Sequence, residues 1–338
     1  KILVTGAAGQ TGRAILTHLS KHADAFTICA AVHAADEREQ SKAVRTICPS
    51  CSPCAIDADD PDALIAAFRG TDDLFIVPSS SEAKVRHAVN YIRAARKAGV
   101  KFVAVLSMSG AERRDHLWAD QFWAIEDEVK RQDTEGAEEF KWCIVRSAFY
   151  MQNLALYAPQ YAEGQVPLPI GKEGRFAPID VVDVGEAASV ILRDCKPHFG
   201  KTYTLTGPSL LSATDVTDAL SQVMKSAPGA GKEAKLEWND ISFSDAKRIL
   251  LSAGVPPAEV QGLAEFYRTV RERGTYEQVS KDFERLTGHP PKGLKEWLEG
   301  DKERLLGKMK ESVGGKSESH QSSQAASHSQ QASQPSQA

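Results

Sequence analysis

Val4-Thr5-Gly6-Ala7-Ala8-Gly9-Gln10-Thr11-Gly12-Arg13 joins the apolar run Ile2-Leu3-Val4 to a helical pattern at the start of the chain. The three glycines have separate jobs in a strand–turn–helix of this kind. Gly6 permits the tight turn, Gly9 lets the backbone approach a pyrophosphate, and Gly12 allows the helix to pack closely on the sheet. The helix N-terminus then presents unpaired N–H groups and a partial positive charge to an anion. The G-x-x-G-x-x-G spacing lacks the Lys-Ser/Thr pair of a phosphate-binding loop in nucleoside triphosphatases, which argues against that class. Gly6, Ala7, Ala8, Gly9, Gln10, Thr11 and Gly12 are therefore expected to hold a dinucleotide, NAD(P). The alternative is a glycine-rich turn that binds nothing.

Outward from this loop, short apolar runs alternate with helical patterns, the mark of a parallel sheet with crossover helices. Strands are expected at Lys1 to Thr5, Phe26 to Val32, Cys54 to Asp57, Leu74 to Val77, Lys101 to Leu106 and Trp142 to Arg146. Between them the pattern predicts helices at Gly12 to Lys21, Asp36 to Arg45, Asp60 to Phe68, Glu82 to Lys97 and Leu117 to Arg131. Asp60 before Pro61 is a good helix start, since aspartate caps and proline suits a first turn. Prolines at 159, 167, 169 and 178 loosen the pattern that follows. Helices are then expected at Asp183 to Leu192, Ala213 to Met224, Ser244 to Ala253 and Ala258 to Arg273, with a strand at Thr202 to Thr206. The expected architecture is a doubly wound α/β sheet in residues 1–150, and a smaller, mostly helical lobe in 151–311 that roofs the sheet and partly returns to it. Residues 312–338, rich in Ser and Gln, lack the large apolar side chains that would offset ordering and are expected to be a disordered tail.

Of the 338 residues 42% are hydrophobic and 25% charged, with a net charge of -4, so composition gives no reason to expect nucleic-acid or membrane-surface binding. No apolar run approaches the ~20 residues that span a bilayer, and no secretory pattern opens the chain. The expectation is a soluble cytoplasmic protein, with the nucleus as a second compartment. The six cysteines do not look like a disulfide framework. Cys48, Cys51 and Cys54 are closely spaced, but a closed zinc site needs four ligands, so no metal is expected.

Several further stretches follow in order: Gly99-Val-Lys-Phe-Val-Ala-Val-Leu-Ser107, Ile144-Val-Arg-Ser-Ala-Phe-Tyr-Met-Gln-Asn-Leu154, Phe176-Ala-Pro-Ile-Asp-Val-Val-Asp-Val-Gly185, Thr202-Tyr-Thr-Leu-Thr-Gly-Pro208 and Leu294-Lys-Glu-Trp-Leu298. With the glycine loop and Asp57, they resemble the NmrA-like family of atypical short-chain dehydrogenases over residues 1–306. The resemblance implies a Rossmann-type fold and roles at matching positions. Gly6 to Thr11 would cradle the pyrophosphate, and His33 would lie beside the adenosine ribose. Asp57 and Ala58 would edge the adenine, and Pro78, Ser79 and Ser80 would pass under the nicotinamide ribose. Tyr150, Met151, Gln152 and Asn153 would close over the nicotinamide. Asp57 has a plainer alternative as a turn acid, as have Tyr150 and Met151 in packing. Arg146 and Asp183 are expected in ion pairs or caps. His33, Arg38, Asp36 and Glu37 leave the choice between NAD and NADP open.

A carbonyl reductase of this superfamily uses a Tyr with a Lys four residues later. The stretch Leu117-Trp-Ala-Asp-Gln-Phe-Trp-Ala-Ile-Glu-Asp-Glu-Val129 has neither. If Glu126 marks the family's Glu, Phe122 occupies the Lys position and can transfer no proton. Ser107 and His116, with Ser109 beside the first, are the remaining candidate acids, with a plain helix-start role as the alternative for His116. Two main readings follow: a dinucleotide-responsive regulator or redox sensor acting on a protein partner, or an NAD(P)H-dependent oxidoreductase. The second would act on a quinone-like or small hydrophobic carbonyl substrate, with Phe149, Tyr150, Met151 and Trp123 lining its pocket. The loss of Tyr and Lys weakens carbonyl reduction more than quinone reduction. A third reading, an interaction module without cofactor, sits poorly with the intact glycine loop.

Overall fold

The computed structural model describes residues 1–131, 141–225 and 235–310; the tail expected at 312–338 lies outside the described residues. The chain starts with β1 (Ile2–Val4), α1 (Gln10–Ser20), β2 (Ile28–His33), α2 (Glu37–Ile47), β3 (Ser52–Ile56), α3 (Pro61–Phe68) and β4 (Asp73–Ile76). It continues through α4 (Lys84–Lys97), β5 (Phe102–Met108), α5 (Leu117–Lys130) and β6 (Lys141–Ser147). Then come α6 (Ala158–Ala162), β7 (Gln165–Pro167), α7 (Val181–Arg193), β8 (Lys201–Leu205), α8 (Ala213–Lys225) and β9 (Glu237–Asn239). Three helices follow, α9 (Phe243–Ser252), α10 (Pro257–Arg273) and α11 (Asp282–Thr287), and residues 294–310 are helical.

Seven strands pair in parallel in the order β3-β2-β1-β4-β5-β6-β8. The sheet is doubly wound and Rossmann-like. A parallel sheet covered on both faces needs strands apolar throughout, and β1 and β5 are buried at every position. Side chains of α1, α2, α7 and α11 pack on one face, and those of α3, α4 and α5 on the other. A third apolar core gathers α6, α8 and α10 with Phe149, Met151, Leu154 and the end of β5 at Met108. The mostly helical second half thus sits over the carboxyl end of the sheet, while α7 and β8 return to it.

Most elements stand within two residues of the expected bounds. β3 begins two residues earlier than expected and includes Pro53, which is allowed because β3 is an edge strand. The two-stranded parallel ribbon β7-β9 joins residues about seventy apart and carries no local strand pattern. Helix starts are capped as their chemistry suggests: Asp60 accepts from Asp62 and Ala63 N–H, and Asp180 from Val182 N–H. Among the described residues no helix is long and apolar enough to cross a membrane.

Candidate functional site

The sheet grows from β1 to β3 in one direction and from β4 to β8 in the other. The crevice beyond the carboxyl ends of β1 and β4 is where such a sheet receives a ligand. Gly6 has φ +57°, in the left-handed region that favours glycine, and a Cβ there would stand 3.2 Å from Val77 Cβ. A Cβ on Gly12 would lie 2.2 Å from the Gly6 carbonyl oxygen and 2.6 Å from Ala7 Cα. Helix and loop therefore approach to a distance that glycine alone allows. The Gly9 N–H closes the turn on Gly6 O at 3.0 Å, and the N–H of buried Ala7 reaches Ala31 O at 3.2 Å. No side chain caps α1, and its first turn carries no acid. Its leading amides have no partner within the helix and suit an anion in the crevice. Gly6, Gly9 and Gln10 are exposed, Ala8 half-buried, and Thr11 and Gly12 buried. A backbone cradle free of side chains, rimmed by N–H donors, fits a dinucleotide pyrophosphate.

The other loops at this end surround the crevice. His33 ends β2, exposed, and its Nδ1 accepts the Ala35 N–H at 3.2 Å. Asp57, also exposed, accepts the Asp59 N–H at 2.9 Å, the behaviour of a turn acid, and buried Ala58 offers its carbonyl to Asn90. The Thr5 hydroxyl accepts the Val77 N–H at 2.9 Å, which pins the loop after β4 to the end of β1. Pro78, Ser79 and Ser80 follow directly, and the Ser79 hydroxyl lies 2.9 Å from Ser81 Oγ and 3.3 Å from His87 Nδ1. Tyr150 reaches the glycine loop from the far side, its hydroxyl 3.0 Å from Thr11 Oγ1. Burial raises the Tyr150 phenol above its ordinary range, against the pull of hydrogen bonds to Thr11 and Ser147.

Other expected residues are engaged elsewhere. Met151 is buried in the third core. Gln152 binds Asp180 at 2.6 Å and the Val181 N–H at 3.1 Å, bracing the start of α7, and the Asn153 N–H reaches Tyr150 O. The pocket expected from Phe149, Tyr150, Met151 and Trp123 is not assembled. Phe149 stacks on Phe266 at 5.4 Å in that core, whereas Trp123 lies beneath the Lys130 ammonium. Cys48 and Cys51 pack together on one face of the sheet and Cys54 on the other, so the three thiols do not meet.

Ser107 and His116 both have structural partners. Ser107 is buried and donates to Glu126 Oε1 at 2.6 Å. Burial would raise the Glu126 carboxyl, but the Arg146 fork and Ser107 hold it below its usual range, and so the Ser107 proton stays committed. His116 caps α5 by accepting the Ala119 N–H on Nδ1 and lies 2.9 Å from the Tyr276 hydroxyl through Nε2. Burial lowers its imidazole and favours the neutral ring. Arg146 and Asp183 are in ion pairs as expected, with Glu126 and Lys292 respectively.

Two features escaped the sequence. Lys84, at the start of α4, is 4% exposed. Its ammonium lies 5.3 Å from the Trp118 ring and 5.1 Å from the Phe122 ring, and 2.9 Å from Glu259 of α10. The face of α5 that lacks Tyr and Lys thus meets a lysine from another helix. Glu277 is enclosed beside Ala177, whose N–H it accepts at 2.8 Å, and burial pushes its carboxyl up to about 7. Neither has a local signal, because the carboxylate that pairs with Lys84 and the amide that binds Glu277 both come from distant parts of the chain.

The sequence pattern of the NmrA-like family matches residues 1–298. Quinone oxidoreductase 2 of Escherichia coli (strain K12) is 28% identical over 297 residues, covering 87% of this chain and 96% of that protein. An NAD(P)H azoreductase of Xenophilus azovorans is 28% identical over 301 residues, covering 88% and 96%. The crystal structure of the NADPH-dependent quinone oxidoreductase of Escherichia coli complexed with NADPH superposes with a TM-score of 0.74 at 25% identity, covering 89% of this chain and 99% of that one.

Proposed function

The chain belongs to the NmrA-like family, and from that premise we propose that it is an NAD(P)H-dependent oxidoreductase acting on a quinone-like acceptor. The observation that carries this reading is the side-chain-free cradle at Gly6, Gly9 and Gly12, facing the uncapped start of α1 at the switch point of the sheet. The likeness to a quinone oxidoreductase and an azoreductase supports the choice of acceptor. So does α5, where Trp118 and Phe122 replace proton-carrying side chains. A reduced quinone is a stabilised phenolate, and it needs less help from an enzyme acid than a saturated alkoxide does.

When bound, the reduced nicotinamide supplies a hydride. The loop amides hold the pyrophosphate, and His33 with the Asp57–Ala58 turn flanks the adenosine half. Pro78 to Ser80 and Tyr150 border the nicotinamide half, and Thr11 ties Tyr150 to the loop. Residues 1–150 act as the dinucleotide-binding domain, and the lobe from 151 excludes water above it.

Titration of the protein with NADH and NADPH by fluorescence, then addition of quinones, azo dyes and enones, tests this reading. The expected result is micromolar or tighter binding and oxidation of the dinucleotide by quinones. Gly12→Ala is expected to weaken binding at least ~10-fold, since its Cβ would displace the loop. Tight binding without oxidation by any acceptor would replace the enzyme with a dinucleotide-responsive regulator.

A further inference from the structure

Resting on the reductase reading above, we infer that Ser79, His87 and Asp59 form a proton relay into the crevice, with Ser79 handing the proton to the reduced acceptor. Ser79 stands two residues beyond Val77, the residue that faces Gly6 and is bonded to Thr5, on the loop that borders the switch-point crevice, and its hydroxyl also lies 2.9 Å from Ser81 Oγ. That hydroxyl lies 3.3 Å from His87 Nδ1. On the other side of the ring, His87 Nε2 is buried and 3.4 Å from Asp59 Oδ1, off the line of a hydrogen bond. Asp59 is half exposed, at 49%, and its carboxylate is also bound by Arg86 at 2.6 Å. The groups thus line up from the β3–α3 turn, across the start of α4, to the loop that borders the crevice.

The charges facing the ring are Asp59 from that turn and, through it, Arg86 of the ring's own helix. Asp57 in the same turn acts on Tyr91. The competing groups are committed elsewhere: Ser107 to Glu126, His116 to its cap and Tyr276, and Tyr150 to Thr11.

The step balances. Once a quinone has accepted a hydride it is a hydroquinone monoanion with one phenolate oxygen. The Ser79 O–H bond breaks and a phenolate O–H bond forms. The His87 Nδ1–H bond breaks as a new Ser79 O–H forms. His87 is left neutral with its proton on Nε2, facing Asp59. After the hydroquinone leaves, water in the open crevice returns a proton to Nδ1 through Ser79. His87 therefore acts through Ser79, and Asp59 positions the ring.

Two measurements test the relay. The first is the His87 imidazole titration by NMR, assigned with His87→Gln. Asp59→Asn is expected to lower its midpoint. NADP⁺ is expected to shift that midpoint in the wild type and leave it in place in Ser79→Ala. A midpoint indifferent to both Asp59→Asn and NADP⁺ overturns the relay. The second is the pH profile of quinone reduction. In the wild type kcat falls as rising pH removes the imidazolium. In His87→Gln the fall is lost and kcat drops about 100-fold, while NADPH affinity stays within about twofold. Wild-type turnover with an unchanged profile in His87→Gln overturns the relay alone. Absence of turnover in the wild type overturns the reductase reading, and the relay with it.

Discussion

At the scale of single residues, Lys84 shows how a buried charge is kept. Its ammonium faces the Trp118 and Phe122 rings and pairs with the carboxylate of Glu259, from a helix far away in the chain. Removing one member of such a pair leaves the other charge without a partner in a poor solvent for it, which costs more than the pair contributes. Lys84→Met is therefore expected to lower stability by about 3 kcal/mol in urea unfolding. Lys84→Met with Glu259→Leu is expected to recover most of that loss, since apolar replacement of a whole buried pair is often neutral or better. A single Lys84→Met variant as stable as the wild type would show that the pair is solvated in solution. The same residue explains how Phe122 is tolerated. Its ring face receives the Lys84 cation at 5.1 Å.

At the scale of elements, α5 depends on its first residue. His116 lies in extended backbone and accepts the Ala119 N–H, and its second nitrogen meets Tyr276. His116→Ala should cost about 1–2 kcal/mol through loss of the cap and of that partner. If His116 only caps, kcat for quinone reduction stays within about twofold; a drop of ~100-fold in a folded variant would return it to the reaction as an acid. The contrast marks what a sequence can show. The strands were legible from their short apolar runs, and the glycine loop and the helix caps because each rests on contacts within a few residues: Gly9 to Gly6, Asp60 to Asp62, Asp57 to Asp59. His116 was legible as a helix-start residue, but the lowering of its imidazole was not, because that comes from burial. Ser79 and His87 sit eight residues apart, across a loop and the first turn of α4, with no period to announce them. The pocket expected from Phe149 and Trp123 went wrong for the same reason. Aromatic composition says that a residue is buried, and contacts distant in sequence, Phe149 with Phe266 among them, decide in which core.

At the scale of the whole molecule, Glu277 sits where the two halves of the chain close on each other. Ala177 precedes the return of α7 to the sheet, and Ser109 follows β5; both contribute hydrogen bonds to this carboxyl. Burial outweighs those bonds and pushes it from 4.5 up to about 7. Asp183, where the segment at Lys292 docks on α7, is pushed by burial up to about 6. Across these windows the folded chain holds protons that the unfolded chain has released. Stability changes with pH as the protons bound unfolded minus those bound folded, so the sign is negative. The contribution of Glu277 is whole below its unfolded value, and is lost as pH rises to about 7. The Glu277 part of the melting temperature is therefore expected to decline from about pH 4.5 to about pH 7, against the opposite trend of His18, His116 and His198, whose imidazoles burial lowers. Glu277→Gln keeps an acceptor for the Ala177 N–H and cannot ionise, so its decline should be shallower and its melting temperature above the wild type's at the upper end. Thermal scans of both proteins across that range check this, and parallel curves would show that Glu277 does not carry the proton. A carboxyl held neutral by closure also reports on closure. If the lobe swings away from the sheet, water reaches Glu277, its pKa falls and a proton is released. Saturating NADP⁺, which should favour the closed form, would then move the wild-type decline to higher pH and leave that of Glu277→Gln in place.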